Sequence, residues 1–187
     1  MEEFNYTVEQ FADLQLLRYK VHGFEELSLK QKELVYYLSQ AALQGRDILF
    51  DQNGKYNLLI RKMLEIVYTE YQGDRTDVNF VNLETYLKRV WFSNGIHHHY
   101  ASDKLVPGFT PKFFRNALNS VDVWKLPLGK GETVEELCEE VFPVIFDPEM
   151  MPKRVNQADG EDLVLTSAAN YYEGVTQKEA EDFYHDL

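Results

Sequence analysis

One cysteine cannot close a disulfide within its own chain. Cys138 is the only cysteine in 187 residues, so a disulfide framework is excluded. It lies in the apolar-looking stretch from Glu136 to Val141, where a buried thiol is the default. Long hydrophobic runs are also missing. No stretch approaches the roughly 20 apolar residues of a membrane-spanning helix. The opening MEEFNYTVEQ has neither the basic nor the apolar region of a secretory signal. These absences point to a soluble chain with no membrane span and leave cytoplasm and cell envelope both open. Positive charge is scarce: 19 Lys and Arg face 31 Asp and Glu, a net charge of −12. A surface that acidic repels phosphate backbones and argues against nucleic acid as a partner. It favours cationic groups such as peptide amino termini. The phosphate-cradling loops, the Gly-x-Ser-x-Gly elbow and the His-Glu-x-x-His zinc helix do not occur. The chain therefore holds no complete catalytic constellation.

Aromatic residues and helix signals are what it has. Twelve Tyr, twelve Phe and two Trp within a 44% hydrophobic composition supply a core and polar-tipped groove walls. Capping boxes are spelled by Thr7 with Gln10, Ser28 with Gln31, Thr133 with Glu136 and Thr176 with Glu179. Thr110-Pro111 and Asp147-Pro148 place a cap before a helix-starting proline. The fold class expected is mainly α, with little or no β-strand. Leu34, Leu38, Ala41, Gly45 and Ile48 form an apolar stripe that predicts a helix from Ser28 to about Phe50. A second helix is predicted for about Tyr56 to Tyr71, with Leu59, Met63, Ile66 and Val67 inward. A third is predicted for about Val78 to Phe92, with Phe80, Leu83, Leu87 and Val90 inward. Together they make an expected helical core over about 28–92. A central loop occupies 92–109, and a second helical half follows over 110–187. In that half the helix opened by Thr133 is expected to stop before Pro143, and Leu163 to Thr166 is the only strand-like run. The helix opened by Thr176 is expected to run on to Leu187, as if the chain were one piece, 1–187, of a longer lobe.

The central stretch WFSNGIHHHYASDKLVPGF, from Trp91 to Phe109, concentrates groups that helices do not use. Loops on a rigid scaffold are where function usually lies. Its three consecutive histidines, His97 to His99, are the obvious metal candidates. Neighbouring side chains diverge by about 100° on a helix and alternate on a strand, so only His97 and His99 can share an ion. No further ligand stands at zinc-site spacing. The expectation is no metal ligand in this chain and no catalytic residue. A metal-binding regulator built on the triple His is the reading this spacing speaks against.

At this loop the sequence resembles dipeptidyl peptidase III, a zinc-dependent exopeptidase, and most of all its Bacteroides-type bacterial members. The matching residues include Leu34-Val35-Tyr36-Tyr37-Leu38, Gly45-Arg46-Asp47 and Tyr56-Asn57. The match continues through Arg89 to Tyr100, Lys104, Val106 to Phe109, Phe146-Asp147-Pro148, Met151 to Gln157, Asn170-Tyr171-Tyr172 and Gly174 to Ala180. The resemblance implies a two-lobed enzyme that releases dipeptides from peptide amino termini, with this chain as the N-terminal part of the lower lobe. Its zinc motif then lies outside these residues, and the fragment alone is inactive and binds no zinc. Phe92, Asn94, Gly95 and Tyr100 are the residues expected to face the substrate. Phe92 offers an apolar wall, Asn94 and Gly95 offer polar and backbone groups, and Tyr100 offers a hydroxyl. The expected partners are peptide substrate and the remainder of the same enzyme. The alternative is an independent helical protein-interaction module without catalysis.

Overall fold

The structure, a computed structural model, describes residues 4–185. It is mainly α-helical, 51% helix against 7% strand. The elements are β1 (Thr7–Phe11), β2 (Leu14–Leu17), α1 (Leu29–Gln44), α2 (Arg46–Asn53), α3 (Asn57–Glu70), α4 (Val78–Ser93), α5 (Pro111–Ser120), α6 (Val134–Phe146) and α7 (Gln177–His185). None of the described helices is long and apolar enough to cross a membrane. The chain divides into two compact units, Met1–Arg46 and Asp47–Leu187.

The first unit holds the β1–β2 hairpin and α1. The capping pattern at Thr7 does not open a helix. Thr7 instead begins β1, and its hydroxyl accepts from Gln15 Nε2 across the hairpin (2.9 Å). Thr7, Glu9 and Phe11 share the less exposed face of β1, as Leu14 and Leu16 do in β2, and pairing of the two strands outweighs the cap signal. Ala12, with φ 49°, helps to make the tight turn between the strands. Helix α1 does start at Ser28, through a complete capping box with Gln31. It ends earlier than its stripe predicts. Gly45 caps it, and a separate α2 begins at Arg46. Glycine weakens a helix interior by about 1 kcal/mol relative to alanine, and the chain uses that weak point. The stripe is not part of the core: α1 buries no residue, and Leu34, Leu38 and Ile48 are exposed.

The core belongs to the second unit. Helix α3 buries Ile60, Met63, Leu64 and Val67 and packs against Phe80, Leu83, Leu87 and Val90 of α4. These are the inward positions the 3.6-residue period selects, shifted by one turn edge in α3, where Leu59 and Ile66 are only half-buried. A second pair, α5 and α6, adds Phe114, Ala117, Leu118, Leu137, Cys138, Val141 and Ile145. Thr110, Thr133 and Thr176 cap their helices as their sequences promise. Asp147-Pro148 does not, and makes a turn in which the Asp147 carboxylate accepts from the Glu149 amide. Nor does Pro143 stop α6. It lies on the exposed side of the helix, and so does Glu139, whose carbonyl would have received its missing N–H. Leu163 to Thr166 is no strand but a turn, because the Asp162 carboxylate collects the amides of Val164 and Leu165. The last two residues of the predicted C-terminal helix lie outside the described residues.

One buried polar group sets the geometry of this unit. Asn57, at the start of α3, is 2% exposed. Its Nδ2 donates to the Phe50 carbonyl (3.2 Å), and its Oδ1 accepts from the Ile96 amide (3.2 Å). Gly54 and Gly95 close over it. A Cβ at Gly95 would lie 2.4 Å from Asn57 Nδ2, and Gly95 has φ 148°. Asn57→Ala strands a buried donor and a buried acceptor, and each costs about 1–3 kcal/mol. Urea unfolding should show a loss of about 2–4 kcal/mol by the same reasoning. The Tyr86 hydroxyl, also buried, finds no hydrogen-bond partner among the described residues. Tyr86→Phe is therefore expected to hold or raise stability, by up to about 1 kcal/mol in the same assay. A clear loss there would reveal a bound partner.

Candidate functional site

The loop after α4 begins with two backbone devices. Asn94 ends the helix in the left-handed region (φ 52°), a conformation asparagine tolerates better than most residues. Its carbonyl accepts from Asn53 Nδ2 (3.0 Å). Gly95 is buried against Asn57. From there the chain runs out and doubles back. Leu105 N–H donates to Ile96 (2.8 Å), and His98 N–H donates to Asp103 (2.7 Å). His97 and Lys104 thus pair antiparallel.

A belt of backbone hydrogen bonds then extends from this loop through segments distant in sequence. Lys104 N–H donates to Pro152, and Arg154 N–H donates to Ser102. The amides of Ala168 and Ala169 donate to Lys153 and Arg154, and Asn170 N–H donates to Gln52 at the end of α2. None of these pairings is long enough to be a strand. Side chains reinforce the belt. Lys104 Nζ donates to the carbonyls of Asp147 (2.5 Å) and Met150 (2.7 Å). His97 Nε2 lies 2.8 Å from the Met151 carbonyl, and Met151 is held at φ 51°. Arg154 Nη2 donates to the His99 carbonyl (3.2 Å), and Lys153 pairs with Asp103.

The three histidines do three different jobs. His97 is 2% exposed. Since a carbonyl only accepts, its Nε2 carries the proton and its buried Nδ1 finds no protein donor. His98 Nδ1 accepts from the amides of Tyr100 and Ala101, closing the tip of the loop. The His99 ring stands between Phe92 (4.8 Å) and Tyr100 (4.5 Å) and stacks on His98 (4.4 Å). Among the described residues no three His, Cys, Asp or Glu side chains gather as a metal site. His97 Nε2 and His98 Nδ1 are each turned to backbone groups.

The four residues selected from the sequence fall into two kinds. Phe92 (37% exposed) and Tyr100 (86% exposed) flank His99 at the surface. Asn94 is half-buried and Gly95 buried, and both serve the backbone turn. Sequence reasoning did not select His97, Lys104 or Asn57 as site residues. Their partners lie 54, 46 and 39 positions away, and no local pattern marks such distances. No protein-family model matches this chain, and no curated protein matches it.

Burial, with Lys104 and Arg154 nearby, holds the His97 imidazole below its ordinary pKa, although the Met151 bond and Asp103 oppose that shift. The unfolded chain then binds a proton that the folded one resists. Stability is full above the ordinary histidine value of about 6.5 and falls as pH drops below it toward the lowered folded value. Urea midpoints at pH 8.0 and 5.5 are expected to show this loss. His97→Gln, which keeps a side-chain donor, should flatten the His97 part of the difference.

Proposed function

We propose that this chain is the N-terminal part of the lower lobe of a zinc-dependent dipeptidyl peptidase III-like enzyme of bacterial type, and that it lines the peptide cleft. One observation carries the reading. The segments that resemble that family are scattered along the sequence, yet many of them meet at the belt. Phe92 to Tyr100, Lys104, Phe146 to Pro148, Met151 to Asn156 and Asn170 are joined through the Lys104, Arg154 and neighbouring backbone bonds. A rigid belt that carries an exposed Phe92–His99–Tyr100 face suits a wall that positions a peptide. Phe92 and Tyr100 are its contact residues, and Asn94 and Gly95 set the loop's direction. Zinc bound in the remainder of the enzyme supplies the activated water for hydrolysis. This chain supplies the surface.

The exposed apolar residues of α1, Leu34 to Leu38, accord with this first reading, and the second, an independent helical interaction module without catalysis, rests on the exposed tyrosines and phenylalanines as a partner surface. Light scattering and binding of a dye to exposed apolar surface separate the two. The module is expected to be monomeric and dye-poor, whereas a cleft wall parted from its enzyme self-associates.

Alone, the chain is expected to release no dipeptides and to take up no stoichiometric zinc. Tight one-to-one zinc binding in calorimetry, abolished by His97→Ala, overturns the reading. Within the whole enzyme, Tyr100→Ala and Phe92→Ala should each raise KM for a dipeptidyl arylamide by roughly tenfold, a loss of about 1.4 kcal/mol. An unchanged KM in both variants removes the cleft role.

A further inference from the structure

A pocket of about 500 Å³ opens beside the belt, and Phe92, His99 and Tyr100 are not among its lining residues. Its floor and walls are Leu105, Ile145, Phe146 and the prolines 107, 148 and 152. Three prolines with fixed φ make it a stiff, largely preformed apolar cup, and its volume is in the range of small-molecule sites. The charged groups that line it are Lys104, Lys153 and Asp103.

We propose that this pocket binds small apolar carboxylic acids, with the carboxylate between Lys104 and Lys153 and the hydrocarbon on Leu105, Ile145 and Phe146. The site goes beyond the peptidase reading and does not rest on it. Lys104 spends two of its three donors on the carbonyls of Asp147 and Met150, neither of them an anion. Desolvation lowers the affinity of its amine for a proton, and an entering carboxylate would offset that. Lys153 is tied to Asp103 only by an exposed ion pair, a weak bond that a second carboxylate can share. The C-terminal end of α6 faces the same place with about half a negative charge. Lys104 and Lys153 together outweigh that half charge and the Asp103 carboxylate, and the Lys104 ammonium already covers the Asp147 carbonyl at the helix's C-cap and the Met150 carbonyl beyond it. An amine is refused for the same reason.

The test is a methyl-resolved NMR titration of the whole chain with octanoate, octan-1-ol and octylamine. Octanoate should saturate at one per chain and shift the methyls of Leu105, Val106 and Ile145. Octylamine should bind at least tenfold more weakly. Lys153→Met, at an exposed side chain, should weaken octanoate about tenfold and leave octan-1-ol unchanged, with the unperturbed spectrum reporting intact folding. Equal affinity for all three probes overturns the proposal. So does a failure of octanoate to saturate, or shifts at Leu34 and Leu38 of α1 in place of the pocket.

Discussion

The carboxamide of Asn57 stands between a carbonyl seven residues before it and an amide thirty-nine residues after it. No other side-chain type fills that position as well. A carboxylate would face the Phe50 carbonyl without a donor, and an aliphatic residue would leave both backbone groups buried and dry. The glycines above it follow from the same requirement. The amide reaches the chain at Ile96 only because residue 95 has no Cβ to hold it off. Everything after α4 is aimed by this contact. It fixes where the loop leaves the helix, and hence where His97 and Lys104 meet the turn after α6.

From that starting point the belt is built with little regular structure. Backbone groups in a buried loop must find partners, and here short antiparallel contacts provide them one at a time across five separate segments. Such pairings are individually modest, about 1 kcal/mol net. Lys104 and His97 add the side-chain bonds that hold the segment from Asp147 to Met151, including the left-handed Met151, against the loop after α4. The result is a loop region whose position is set by polar bonds, resting on four helices held by apolar packing.

This division explains what the sequence reveals. Helix packing is a local matter of period. Phe80, Leu83, Leu87 and Val90 therefore read correctly from spacing alone, and so do the caps at Ser28, Thr110, Thr133 and Thr176. Thr7, Asp147 and Leu163 mislead because cap and strand patterns of four residues are also satisfied by hairpins and turns. The α1 stripe misleads in another way. Its spacing is that of an amphipathic helix, but period says nothing about whether a second surface covers the apolar side. Asn57 and Lys104 act across tens of residues. Asn57 looks like any polar residue near a helix start, and only its place beneath two glycines gives it meaning.

The histidine run joins the two levels. Three identical side chains in a row suggest one shared purpose, and the backbone denies it, because His97 sits in a bridge and the chain then turns at His99. His97 turns inward, where its Nε2 donates to the Met151 carbonyl and burial favours the neutral ring. His98 turns back on its own loop and accepts two amides, which requires its Nδ1 to be bare. His99 faces the aromatic surface and joins Phe92 to Tyr100. Imidazole can donate, accept or stack as its place demands. Here the first two roles each commit one ring nitrogen to the backbone. The third leaves a flat, half-exposed ring between two others.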